Sequence, residues 1–459
     1  MFKRKIIERL KEWKNKRQGR TALLVEGQRR VGKSTVVEAF ARKAYKSYVL
    51  IDFSACEPEV LELFDHVTDL DYFFLRLQLV TGVDLVPRKS VIIFDEVQLF
   101  PKARQAIKRL VADHRYDYIE TGSLISIRKN VKDILIPSEE EHIAMHPMDF
   151  EEFLWAIGDT VTFKLLQKLF ETKQAAGDAA HRKLMRLFRL YMLVGGMPQA
   201  VAEYLKTNNL ESVDAVKRDI LRLYADDFRK IDGSGKLSLL FEAIPAQLNK
   251  NTGRYAVSSV LPTKRPNTAL GLIAELIDSR TVSAAYHTSQ PSAAMASYKD
   301  LGRFKLFLSD TGLFTTLMFR NKAFTENDLY RKLLSDKTME NLGYLYENIV
   351  AQMLTARGYE LFYHTFNYQD SKKKYEIDFL IEKKGKICPI EVKYGVNLRH
   401  ASLDAFGVKY CAQVAEKWVL CTKDYKKERD VCWRTGWLLH KCARKNWTLA
   451  ASNAHDFGA

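Results

Sequence analysis

The chain has 459 residues, 28 % of them charged and 47 % hydrophobic, and carries a net charge of +16. At roughly 100–200 residues per domain this length makes two to four domains, and no apolar run reaches the roughly 18 residues that span a bilayer. The basic balance suits a phosphate-rich partner and equally a lysine-rich soluble surface, so charge alone selects neither.

The first twenty residues, MFKRKIIERLKEWKNKRQGR, are basic but lack the continuous apolar core of a secretory signal. Phe2, Ile6, Ile7, Leu10 and Trp13 recur at helical spacing. They predict an amphipathic helix docked on the first domain, with a membrane-surface helix as the alternative. The six cysteines, at 56, 388, 411, 421, 432 and 442, contain no C-x-x-C pair. Buried reduced thiols in a cytoplasmic protein are the expectation. His142 and His146 stand four apart, but the glutamate of a zinc-binding H-E-x-x-H helix is missing and Pro147 follows.

Thr21–Glu26 is a short apolar run that reads as a buried parallel strand. It leads into Gly27-Gln28-Arg29-Arg30-Val31-Gly32-Lys33-Ser34, the pattern G-x-x-x-x-G-K-[ST], and then into a helix over Thr35–Ala44. Glycines at these positions let backbone N–H groups close around phosphate oxygens, and the helix N-terminus adds partial positive charge. The expected ligand is ATP with Mg²⁺, held by residues Gly27 through Thr35. Lys33 reaches the β- and γ-phosphates, and the Ser34 hydroxyl ligates the metal. A second strand, Ser90–Phe94, ends in Asp95-Glu96. Asp95 is expected to hold Mg²⁺ beside the P-loop strand, and Glu96 to orient or deprotonate the attacking water. A helix over Pro101–His114 and a strand over Tyr116–Ile119 follow, ending in Glu120-Thr121-Gly122-Ser123. Thr121 is the first candidate for sensing the γ-phosphate and Ser123 the second, with a plain strand-to-loop turn as the alternative.

The order GQRRVGKST, VIIFDEVQ, YIETGS, PMDFEEF and LVGGMP resembles a family of prokaryotic AAA+ ATPases that carry a C-terminal domain of uncharacterised function. The resemblance runs over nearly the whole chain and is most specific up to Pro198. It implies that Phe150–Glu152 begins a helical lid and that Gly195–Pro198 turns within it. Many relatives carry a Gly-Arg pair shortly before the Pro-x-x-Phe stretch. Here residues 136–140 read Ile-Pro-Ser-Glu-Glu, so no arginine finger is carried over. A homo-oligomer with a neighbour's arginine at the site stays open.

Helical periodicity dominates Asp149–Tyr204. Lys236–Leu248, Tyr255–Val260 and Asn267–Ser279 read as short helices, and Thr281–His287 and Phe304–Leu308 as strands, an order that suggests a winged helix. Its third helix carries Glu275 and Asp278 against a single Arg280, while Leu270, Ile273, Leu276 and Ile277 look like core. DNA contact and a purely structural or assembly role both remain open for it. Ala284–Ser297 reads as a wing tip or linker.

The last part predicts a helix over Met339–Arg357, strands over Tyr359–Phe366, Tyr375–Glu382 and Lys386–Tyr394, a helix near Leu403–Tyr410 and a strand over Lys417–Cys421. That is the core order of the restriction-endonuclease-like fold. Asp378 lies in the second strand, and Glu391 and Lys393, two apart on the third, share one face. Asp378 and Glu391 are expected to converge on Mg²⁺, with Glu347 supporting the metal from the helix. Lys393 then activates water or stabilises charge on phosphorus. Many relatives keep this Asp and Glu-x-Lys pattern. An exposed strand of alternating charge is the competing reading.

The expected class is α/β: a P-loop AAA+ core over 1–148, a helical lid over 149–212, a winged-helix-like unit over 213–300, and a nuclease-like domain over 301–459 with its core at about 335–441. The expected protein hydrolyses ATP to control a nuclease-like module acting on nucleic acid, DNA foremost. The alternative is an ATP-dependent switch whose inactive C-terminal domain docks nucleic acid or protein. A P-loop kinase of small molecules is disfavoured, because it needs neither further unit.

Overall fold

The computed structural model describes residues 1–122, 139–250, 253–261, 266–320, 327–335, 342–368, 374–395, 399–428 and 431–435. Ser123, residues 136–138 and the expected helix start at Met339 lie outside them. Among the described residues two sheets form, and no helix is long and apolar enough to cross a membrane.

The first sheet is parallel throughout: β1 (Ala22–Glu26), β2 (Ser47–Asp52), β3 (Ser90–Asp95), β4 (Asp117–Gly122) and β5 (Glu140–Ala144), in the order β2-β3-β4-β1-β5. Period-two alternation sends Leu24, Ile92, Phe94 and Tyr118 to one face, against the helices Leu70–Thr81 and Pro101–Ala112. It sends Leu23, Val25, Ile93 and Ile119 to the other, against Ile6–Arg17 and Lys33–Ala44. β1 and β3 are covered on both faces, which is why they read as apolar runs, whereas the edge strands β2 and β5 are half-exposed and carry no such run. Ile6, Leu10 and Trp13 are buried here, so the N-terminal helix is docked as expected. One expectation is corrected. β3 does not lie beside β1; β4 is inserted between them.

Helices from Phe150–Ala156 to Pro266–Asp278 pack into a core shared with a second sheet. Phe188, Leu240, Ile273, Leu306, Phe379 and Trp418 belong to this one cluster. The sheet comprises β6 (Val282–Thr288), β7 (Lys299–Leu308), β8 (Leu361–Asn367), β9 (Lys374–Lys383), β10 (Lys386–Val392), β11 (Lys417–Cys421), β12 (Lys426–Glu428) and β13 (Val431–Thr435). Its order is β12-β13-β11-β10-β9-β8-β6-β7. The helix Gly343–Thr355, antiparallel β8, β9 and β10, the helix Ala401–Lys409 and β11 follow one another as the pattern predicts.

The wing is the main departure. β6 and β7 do form an antiparallel hairpin, but β6 also pairs in parallel with β8. The hairpin is therefore the edge of the C-terminal sheet, where the free edge of β6 finds backbone partners. The expected divisions at 212/213 and 300/301 fall inside the helix Leu210–Ile231 and inside β7. Leu270, expected in the core, is exposed. Cys388 and Cys421 are buried thiols, but Cys411 is exposed.

The glycine turn joins the two halves. Gly195 has φ +84, and a Cβ there would meet Asp310 Oδ1 at 2.5 Å. A Cβ on Gly196 would lie 2.2 Å from the Met148 carbonyl oxygen and 2.8 Å from its nitrogen. Both are backbone atoms, and Met148 N–H donates to the Gly196 carbonyl at 2.7 Å, so neither can yield cheaply. Gly196→Ala should therefore cost about 1–3 kcal/mol. An unchanged denaturation midpoint in urea would show that the turn has room this packing denies.

Candidate functional site

β1 delivers the chain into a loop that only glycine can open. A Cβ on Gly27 would lie 2.4 Å from the Met145 carbonyl oxygen. Arg30 and Gly32 take left-handed conformations, φ +67 and +94, curling the loop over the N-terminus of the helix Lys33–Ala44. The Lys33 ammonium is buried and donates to the carbonyls of Gly27 at 3.0 Å and Gln28 at 3.2 Å. Burial lowers its pKa, against the pull of Glu96 and Asp95.

Asp95, at the end of β3, gathers the hydroxyls. Ser34 Oγ donates to Asp95 Oδ1 at 2.8 Å, and Thr121 Oγ1 donates to the same oxygen. The inserted strand β4 makes this possible by carrying Thr121 between the P-loop and Asp95. Thr121 thus contacts Asp95 beside Ser34. Glu96 is left-handed, φ +52, and its carboxylate accepts a hydrogen bond from Gln98 Nε2. Lys33, Ser34, Thr35 and Glu96 line a cavity of about 520 Å³.

The far wall of that cavity comes from the helical unit, through Pro198, Gln199, Asp227 and Lys230. Arg29 forms an ion pair with Asp227 at 2.9 Å, the Tyr224 hydroxyl donates to the Arg29 carbonyl at 3.1 Å, and Gln28 Nε2 reaches Met197 Sδ at 3.2 Å. Below the loop, buried Arg4 donates to the carbonyls of Val31 at 3.1 Å and His146 at 2.6 Å, and its Nε lies 3.3 Å from Glu152. These partners carry no local motif, and sequence reasoning missed Arg4, Gln98, Asp227 and Lys230. Arg280 is paired with Glu26, the residue before the P-loop. The one basic group of the expected DNA-reading helix is thus engaged within the chain.

The C-terminal residues come together differently from the expectation. Ile390 on β10 pairs with Phe379 on β9, which brings Glu391 near Asp378. Asp378 Oδ2 accepts from the Val392 N–H at 2.7 Å. Glu391 Oε1 forms an ion pair with Lys393 at 2.7 Å. Burial raises the pKa of Glu391, against Lys393. Asp378 is pushed well above the carboxylate range, first by lost hydration and then by Glu347, with Lys305 opposing. Lys305, on β7, is buried with its Nζ 2.5 Å from Glu376 and 3.6 Å from Glu347.

Among the described residues no group of three His, Cys, Asp or Glu side chains is placed to hold a metal ion. Glu347 and Glu391 both lie close enough to Asp378 to raise its pKa, with the Lys305 and Lys393 ammonium groups among them. Glu391 is engaged by Lys393, and Glu347 faces Lys305. Lys305 and Glu376 were not anticipated. The available signal was a lysine inside the apolar run Phe304–Leu308, which must find a countercharge if buried.

Three family models match parts of the chain. Residues 19–154 match the AAA domain, 185–323 a domain of unknown function (DUF8612), and 342–437 another (DUF4143). The AAA match supports ATP binding and hydrolysis by the first unit, and the C-terminal match is to an uncharacterised domain. No curated protein matches the chain. Solved structures resemble it distantly. A Walker-type ATPase of Pyrococcus abyssi is 16 % identical, with a TM-score of 0.42, over 69 % of this chain and 96 % of its own. The Cdc6p protein of Pyrobaculum aerophilum is 11 % identical, with a TM-score of 0.23, over 72 % and 93 %.

Proposed function

With residues 19–154 an AAA domain, we propose that the chain binds ATP with Mg²⁺, hydrolyses it, and passes its nucleotide state to a restriction-endonuclease-like C-terminal module. The observation that carries the hydrolytic part is the bonded set Ser34–Asp95–Thr121, whose Ser34 lines one cavity with Lys33 and Glu96. Lys33 exchanges two carbonyl partners for β- and γ-phosphate oxygens, where its charge counts for more. Ser34 and Asp95, a hydroxyl and a carboxylate in contact, suit Mg²⁺, which neutralises phosphate charge when bound. Glu96 orients a water in line with the γ-phosphorus and takes its proton. The new bond is water oxygen to phosphorus, the bond broken is phosphorus to the β–γ bridging oxygen, and ADP leaves.

Transmission runs through the glycine turn. Met197 touches Gln28, and Pro198 and Gln199 line the nucleotide cavity. Gly196 N–H donates at 2.6 Å to Asp310, two residues beyond β7. A shift of the loop on binding phosphate therefore bears on the edge of the C-terminal sheet. For that module, the lysine-engaged carboxylates favour docking of nucleic acid over cleavage. Asp378, Glu391 and Lys393 on neighbouring strands are what still speaks for cleavage.

The test measures ATP turnover and strand cleavage together on the full chain, with single- and double-stranded DNA and RNA, in Mg²⁺ or Mn²⁺. Turnover that changes with nucleic acid, without cleavage, is expected. Metal-dependent cleavage that disappears in Asp378→Asn would replace docking by the nuclease reading. No turnover under any condition would remove the ATPase reading itself.

A further inference from the structure

β7 runs Phe304-Lys305-Leu306-Phe307-Leu308, and all five side chains are buried. A lone ammonium in such a strand is costly unless carboxylates surround it. They do, and from other elements: Glu376 on β9 at 2.5 Å, and Glu347 on the helix Gly343–Thr355 at 3.6 Å. Asp378 adds its field from the same strand as Glu376. Together these acidic residues include two of the three from which a metal site was expected.

We propose that the Lys305 ammonium stands in for the divalent cation at the C-terminal carboxylates, making the cluster a metal-free one. Three features support this. Lys305 is tethered within the fold, so a dissolved cation must displace a group held at very high local concentration. The contact is direct, since the ammonium donates to Glu376 Oε1 at 2.5 Å. The remaining carboxylate, Glu391, has its Oε1 engaged by Lys393 at 2.7 Å. Mg²⁺ demands near-octahedral oxygen ligation at about 2.0–2.1 Å and gives up its water reluctantly. Carboxylates already engaged by two ammonium groups, Lys305 and Lys393, offer it little.

The inference deepens the docking reading of this module and can fail separately from it. The probe is Mn²⁺, titrated into the nucleotide-free full chain and followed by the electron paramagnetic resonance of free Mn²⁺. The wild type should show no site that Asp378→Asn removes. Lys305→Ala should gain one site, at least about 10-fold tighter than any in the wild type, which the further change Asp378→Asn abolishes. Mn²⁺ should also raise the melting temperature of Lys305→Ala but not that of the double variant. Should Lys305→Ala fail to fold, the comparison of wild type with Asp378→Asn still decides. A wild-type Mn²⁺ site lost on Asp378→Asn overturns the proposal, as does a folded Lys305→Ala that gains none. If that wild-type site binds Mn²⁺ and no strand is cut, the docking reading survives while this inference falls.

Discussion

Lys33→Ala is expected to weaken ATP·Mg²⁺ binding by about 10²-fold or more. In the P-loop as it stands, the ammonium makes two hydrogen bonds to carbonyls, at 3.0 and 3.2 Å. With nucleotide bound, its donors face phosphate oxygens instead. Hydrogen bonds between charged groups contribute about 1.5–3 kcal/mol each, and every 1.4 kcal/mol is tenfold in affinity. Losing two such bonds therefore removes at least two orders of magnitude. Folding should survive, because the wild-type loop holds a buried ammonium whose pKa is already lowered by that burial. The alanine relieves this cost while freeing two carbonyls. Calorimetric titration measures the affinity, and a thermal melt checks the fold. Wild-type affinity in a folded Lys33→Ala protein would mean that the nucleotide binds elsewhere.

Glu96→Gln should separate binding from chemistry. ATP affinity should stay within a few-fold of wild type while turnover falls by roughly 10²-fold or more, the usual contribution of a positioned general base. The substitution keeps the shape and one acceptor oxygen, so the hydrogen bond from Gln98 can persist. It removes the carboxylate that takes the proton of the attacking water. Glu96 also holds a left-handed backbone at the cavity mouth, φ +52, an uncommon conformation for a non-glycine residue. Single-turnover phosphate release measures the chemical step, and titration measures the affinity. Turnover near the wild-type rate would reduce Glu96 to an ordinary strand-end carboxylate, and the base would have to be sought elsewhere along the cavity wall.

What the sequence determined by itself is the phosphate loop and most of the elements around it. Gly27 to Ser34 is legible because cradling a phosphate needs consecutive backbone N–H groups, two permissive glycines and a hydroxyl at fixed local spacing. β1, β3 and β4 are legible because they are buried throughout, whereas the half-exposed edge strands β2 and β5 are not, and the N-terminal helix is legible because Ile6, Leu10 and Trp13 repeat on one face. Tertiary structure alone decided which groups meet. Thr121 reaches Asp95 only because β4 is inserted beside β1, and strand order is not written in any single strand. Arg4 grips Val31, and Arg29 grips Asp227, across separations with no period to reveal them. The hairpin of β6 and β7 reads the same in sequence whether it stands free as a wing or closes the edge of a sheet. The parallel pairing with β8 made it an edge. Lys305 then lies among Glu347 and Glu376 while Lys393 holds Glu391, so two ammonium groups stand among the carboxylates from which a metal site was expected. Local spacing encodes what one segment can do, whereas the partner that satisfies a buried charge is chosen by long-range packing.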